Sequence, residues 1–253
     1  MSTERDRREL LIATIADLLD GIRHVAVGAS SPIPAAGAML RRARNESDGK
    51  SPLRITILGS ERHNFFTNGG VELFDCAAQG RVDAFFLGGG QIDGHGNINL
   101  VGTGEYPATE VRWPGSFGSA YLYHLVPRVI LFREEHSPRV LVPRVDFISA
   151  AAVTPEVPRR GGPYALLTSM ALFDFLPARG GFRLRSVHPG HAAADIRAST
   201  GFDYEEPARV PATPHPDAAT VALIRGRVLT ELSESYPEFA ARMTSGGVRP
   251  HAP

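Results

Sequence analysis

Residues 24–40 read HVAVGASSPIPAAGAML, and residues 54–58 read RITIL. His24–Val27 is a short apolar run that ends at Gly28 and a Ser30-Ser31-Pro32 turn, Ala35–Arg44 then has the spacing of a helix, and Arg54–Leu58 is a second apolar run. Strand, glycine-marked turn, helix, strand is the order of a parallel crossover unit. The pattern repeats downstream, with a short helix predicted over Val71–Gln79 and a third strand over Ala84–Leu87, which runs into Gly88-Gly89-Gly90. This alternation predicts an α/β fold, an open, mostly parallel sheet with helices on both faces.

Upstream, residues 5–22 place Leu11, Ile15, Leu18 and Ile22 on one face with Arg and Glu around the other, which predicts an amphipathic first helix. Beyond residue 110 the signals mix. Apolar runs stand at Arg128–Arg133, Arg139–Val142 and Ala165–Phe175 among many Pro and Gly, and Glu156–Pro163 reads as a loop. A last helix is predicted over Asp217–Leu232, with Val221, Ile224, Val228 and Leu232 on one face, and the tail from Thr244 is expected to fray. There is no internal repeat and no compositional boundary, so residues 1–253 are expected to form a single domain.

Composition narrows the class. The 253 residues carry Lys+Arg 27 against Asp+Glu 27, and 43% are hydrophobic, enough to build a core without disulfide staples. Twenty-six of the basic residues are Arg and only Lys50 is a lysine, but they are scattered, with no basic stripe and no interleaved aromatics, so nucleic acid is not an expected partner. The first residues are charged and then amphipathic, unlike a signal peptide, and runs such as VILF near residue 130 are far too short to span a bilayer. With the single cysteine, Cys76, this predicts a cytoplasmic protein with no membrane association.

In parallel sheets, reactive groups gather in the loops beyond the carboxyl ends of strands. Three loops qualify. Gly59-Ser60-Glu61-Arg62-His63 would present the Glu61 carboxylate at a strand end, either as a nucleophile or general base or as an ordinary solvated glutamate. Gly88–Asn99 (GGGQIDGHGNIN) pairs three glycines that would let backbone approach a ligand with the polar Gln91, Asp93, Asn97 and Asn99, although a tight structural turn would use the same residues. Its spacing is not that of a dinucleotide fingerprint, because position 93 is Asp93 and not glycine. Pro114–Ser119 (PGSFGS) could aim backbone N–H groups at an oxyanion or be a plain connection. No metal site is expected: Pro189 and Gly190 interrupt any helix face shared by His188, His191 and Asp195. Cys76 lacks a neighbouring base and reads as a packing residue.

Taken together, these segments resemble the β subunit of family I coenzyme A transferases, most closely the glutaconate type. HVAVGASSPIPAAGAML is similar to the family's opening unit and GGGQIDGHGNIN to its G-G-x-Q-I-D-x-x-G-N-x-N segment. PGSFGSA is similar to its G-S-G-G-A loop, and HPGHAAADIRASTGFD to its late P-x-x-x-x-x-D-(V/I)-x-x-x-T-G-F-D stretch.

The resemblance implies an α subunit as partner, coenzyme A as part of the substrate, and no metal. It implies that a glutamate attacks an acyl-CoA thioester, forming an acyl-glutamyl anhydride and then a glutamyl-CoA thioester. That role falls on Glu61, with Phe117 and Gly118 N–H groups at the oxyanion and Gly88, Gly89, Gly90, Gln91 and Asp93 lining the acyl-CoA pocket. The match departs from the S-E-N-G motif at Arg62 and His63, and a two-residue slip would put Gly59 at the catalytic position; Phe117 replaces a glycine. Hydrolysis or decarboxylation on the same fold, or a non-catalytic subunit, are the alternatives. Polar pocket residues would favour a dicarboxylic or oxo-acyl group.

Overall fold

The computed structural model describes residues 3–67, 69–154 and 157–245. Glu156, the first residue of the expected 156–163 loop, and residues 246–253 of the expected tail lie outside them. The chain packs as two compact units, one formed by Met1–Thr67 with His215–Pro253 and the other by Asn68–Pro214.

The first unit opens with α1 (Glu4–Leu18), β1 (His24–Val27), α2 (Pro32–Ser47) and β2 (Arg54–Ile57). Helix α1 starts in a capping box, in which Asp6 N–H donates to Thr3 Oγ1 and Thr3 N–H to Asp6 Oδ2. It is not the amphipathic helix its periodicity predicts. Leu10 to Ala16 are buried all round, because α2 packs on α1 while Arg225 and Phe239 reach it from later in the chain. Even Glu9 is buried, its carboxylate accepting from Arg225 Nε at 2.7 Å and Arg5 Nε at 3.2 Å. The α1–α2 contact is close because α2 carries Gly37, where an added Cβ would lie 2.3 Å from Ile15 Cγ2. Helix α2 begins three residues before the expected Ala35, since Pro32 fits the first turn, where no N–H is needed. Strands β1 and β2 pair in parallel from His24↔Arg54 to Val27↔Ile57.

In the second unit come α3 (Gly69–Ala78), β3 (Ala84–Leu87), β4 (Gln91–Ile92), β5 (Ile98–Asn99), β6 (Gly102–Thr103), β7 (Val111–Arg112) and α4 (Ser119–Leu125). They are followed by β8 (Arg128–Arg133), β9 (Pro163–Thr168), β10 (Ala171–Leu176), β11 (Gly181–Val187) and α5 (Ala193–Ser199). Strands β3, β8 and β9 pair in parallel, and β9, β10 and β11 continue the sheet as an antiparallel edge. The Ala165–Phe175 run is therefore two strands. It reverses at Ser169-Met170, where Thr168 Oγ1 accepts the N–H groups of Met170 and Ala171 and supplies the turn chemistry that glycine would elsewhere. Phe173, fully buried on β10, packs edge-on to Phe182 and Tyr204. The fold is α/β with a mixed, mostly parallel open sheet.

The chain then rejoins the first unit through α6 (Ala218–Leu223), a π-helical turn at Ile224–Val228, α7 (Leu229–Leu232) and α8 (Pro237–Thr244). Together α6, the π turn and α7 make the last helix read from sequence, with Asp217 as its cap, accepting from Thr220 N–H at 2.7 Å, and Ile224, Val228 and Leu232 buried. Among the described residues no helix is long and apolar enough to cross a membrane.

Candidate active site

The loop after β2 turns at once. Gly59 takes a φ of +85°, a region glycine enters without strain, and Ser60 N–H returns to Ile57 O at 3.1 Å while Ile57 N–H donates to His63 O at 3.0 Å. Glu61 sits at the crest, exposed. Its own N–H donates to Glu234 Oε1 at 2.9 Å, the Arg62 N–H donates to the same oxygen at 3.3 Å, and Ser60 Oγ donates to Glu234 Oε2 at 2.8 Å. Ser235 Oγ is also on that oxygen, and His63 N–H closes the turn onto Ser60 Oγ at 2.9 Å. Burial alone would raise the Glu234 carboxyl, but the hydrogen bonds from Ser235, Ser60, Arg62 and Glu61 outweigh it and pull it down to about 2. His63 Nε2 lies 3.0 Å from Glu231 Oε1, a close contact that does not meet hydrogen-bond geometry. Arg42 also pairs with Glu231. No local sequence signal points to Glu231 or Glu234, which are brought to the loop by tertiary packing across some 170 positions of chain.

The Gly88–Asn99 segment is the β4–β5 hairpin. Gly88 is exposed at the end of β3, but the space beside the next two glycines is filled by this chain. An added Cβ would lie 2.5 Å from Gln91 O at Gly89 and 2.2 Å from the Trp113 ring at Gly90. The polar side chains are likewise engaged within the unit. Asp93 is 2% exposed and accepts from His95 N–H, Asn97 N–H and Asn97 Nδ2 at 3.0 to 3.1 Å. Gln91 donates from Nε2 to Asp146 Oδ2 at 3.0 Å, while its Oε1 accepts from Asn99 Nδ2 at 2.7 Å and from Asp146 N–H at 3.0 Å.

The Pro114–Ser119 loop has the opposite character. Gly118, at φ +67°, is the residue from which α4 starts, and Phe117 is 83% exposed with its ring 5.4 Å from that of Phe74. Among the described residues neither the Phe117 nor the Gly118 N–H donates a hydrogen bond, whereas the next N–H, of Ser119, returns to Ser116 O.

The remaining candidates are structural. His188 is buried, its Nδ1 against Thr213 Oγ1 at 2.8 Å and Nε2 against Thr168 O at 3.0 Å; Asp195 caps the start of α5 through the Ala192 N–H at 2.8 Å. Among the described residues no three metal-ligating side chains converge.

The family model for coenzyme A transferase matches residues 57–199, more than half of the chain. The chain belongs to the coenzyme A transferase family. Among curated relatives it is 27% identical over 153 residues to the 3-oxoadipate CoA-transferase B subunit of Pseudomonas knackmussii, covering 58% of each chain, so the chain spans little more than half the length of that relative. It is 26% identical to the cholesterol ring-cleaving hydrolase IpdB subunit of Rhodococcus jostii over 88% of this chain and 92% of that one. Among solved structures, the decarboxylase AibA/AibB superposes with a TM-score of 0.73 at 27% identity, covering 87% of this chain and 93% of that one. Glutaconate coenzyme A-transferase from Acidaminococcus fermentans, at 21% identity over 87% and 93%, has a TM-score of 0.74 and shares the fold. As a CoA-transferase family member the chain is similar to B subunits, as its GGGQIDGHGNIN and TGFD segments imply.

Proposed function

We propose that this chain is the β subunit of a cytoplasmic heteromeric CoA transferase. With an α subunit it would exchange CoA between an acyl-CoA and a carboxylic acid. The carrying observation is Glu61: an exposed carboxylate at the end of a parallel strand of a CoA-transferase family chain, on a backbone whose N–H groups are held elsewhere.

In the first half-reaction the Glu61 carboxylate attacks the thioester carbonyl, and CoA leaves as the thiolate from the tetrahedral intermediate, giving an acyl-glutamyl anhydride. The thiolate then attacks the glutamyl carbonyl, releasing the first acid and leaving CoA on Glu61; a second carboxylate reverses the sequence. The oxyanion would be held by the N–H groups of Phe117 and Gly118, neither of which donates a hydrogen bond among the described residues, such a donor being worth about 3 kcal/mol. Gly88 would border the acyl-CoA pocket. Gly89, Gly90, Gln91 and Asp93 would shape its wall by holding the hairpin.

A second reading, hydrolysis or decarboxylation of an acyl-CoA, is favoured by the near full-length likeness to the IpdB subunit and to AibA/AibB, against 58% coverage for the 3-oxoadipate enzyme's chain. Initial-rate kinetics of the reconstituted complex with succinyl-CoA or 3-oxoadipyl-CoA and a labelled carboxylic acid decide between them. Ping-pong transfer of CoA to the labelled acid supports the transferase; free CoA or carbon dioxide in its place supports the second reading.

A further inference from the structure

Where the S-E-N-G pattern would continue with Asn and Gly, this chain has Arg62 and His63, and both are met by one C-terminal segment. Glu231 lies against the His63 ring, and three residues on Glu234 accepts from Ser60, Glu61 and Arg62.

Two adjacent backbone N–H groups aimed the same way form a small anion-binding concavity. Left open beside a glutamate, such a concavity would compete for that residue's own carboxylate. A carboxylate whose oxygens accept hydrogen bonds is a weaker nucleophile. With the Glu234 carboxylate filling the concavity through charge-assisted bonds, the peptide planes on either side of Glu61 are fixed and its side chain stays exposed.

We propose that Glu234 is the positioning residue of this site, occupying the loop's backbone donors so that the Glu61 carboxylate is held outward and uncommitted for attack. This rests on Glu61 as the nucleophile. A negative charge suits the task better than a neutral acceptor, and the same hydrogen bonds that seat the carboxylate hold its pKa down to about 2.

The test uses the full chain with its co-purified α subunit and compares native protein with Glu234→Gln, Glu234→Ala and Glu61→Gln. By amide hydrogen exchange, which needs no substrate, Glu234→Ala should speed exchange at the Glu61 and Arg62 amides by about 10-fold or more, while Glu234→Gln stays much nearer native. With succinyl-CoA and 3-oxoadipyl-CoA as probes, Glu234→Ala should slow formation of the Glu61 adduct about 100-fold at unchanged KM, and Glu234→Gln should recover most of that loss. Should Glu234→Ala fail to fold, Ser60→Ala, which removes one donor, should move both readouts the same way by less. Native exchange, or a native adduct rate in Glu234→Ala while Glu61→Gln forms none, overturns the positioning role alone. An adduct that persists in Glu61→Gln overturns the nucleophile and this role with it.

Discussion

A β-carbon added to Gly118 would lie 2.2 Å from Cζ of Phe74, so the start of α4 and the face of α3 touch at a point where only hydrogen fits. Because Gly118 is also at φ +67°, replacing it combines backbone strain with overpacking. Gly118→Ala should cost about 2–4 kcal/mol in urea unfolding. Phe74→Leu in the same chain should return a measurable part of that, since the two residues touch. Additive losses would show that Phe74 is not the obstacle.

Asp93 is a test of what the hairpin glycines and polar groups are for. Its carboxylate takes three donors while 2% exposed, so Asp93→Ala leaves three part-buried donors without their acceptor and should destabilise the chain by about 3 kcal/mol, read from thermal or urea unfolding. Asp93→Asn keeps an acceptor and should cost less. A variant that unfolds like the native chain would return Asp93 to the role of a ligand contact.

Stability should depend on pH in two separable windows. Burial, reinforced by His191, pulls His136 from the usual 6.5 to about 4, and burial does the same for His188. Since the native values lie below the unfolded ones, the unfolded chain binds these protons first. Their contribution is full above pH 6.5 and is lost as pH falls toward 4, at about 1.4 kcal/mol per pH unit for each histidine that follows the full shift. Glu234 acts lower, its contribution present above 4.5 and lost as pH falls toward 2. Urea midpoints from pH 8 to 3 should decline through the upper window in native protein and in Glu234→Gln alike. A flat profile between 6.5 and 4 would mean that the imidazoles are charged in the fold.

Much of the fold was legible where burial and punctuation agree. Ala84–Leu87 and Arg128–Arg133 are apolar runs with glycine or proline close by, and both are strands with those bounds. Ala165–Phe175 hid a hairpin because its turn uses a threonine hydroxyl in place of glycine or asparagine. Helix α1 hid its burial because Glu9, polar in sequence, is paired with Arg5 of the same helix and with Arg225 from the far end of the chain. At the site, the strand-end glutamate and the PGSFGS loop could be read from spacing, since a glycine after a strand marks a turn. The Ser60–Glu234 contact could not, because its partners meet only through packing and neither carries a local pattern.

With Glu61 as the proposed nucleophile, CoA becomes covalently attached to it during turnover. Peptide mass spectrometry of the αβ complex after incubation with succinyl-CoA and 3-oxoadipyl-CoA tests it most directly. A CoA-bearing peptide that contains Glu61 and is absent in Glu61→Gln is the expected result. Consumption of the acyl-CoA with no such adduct would contradict it.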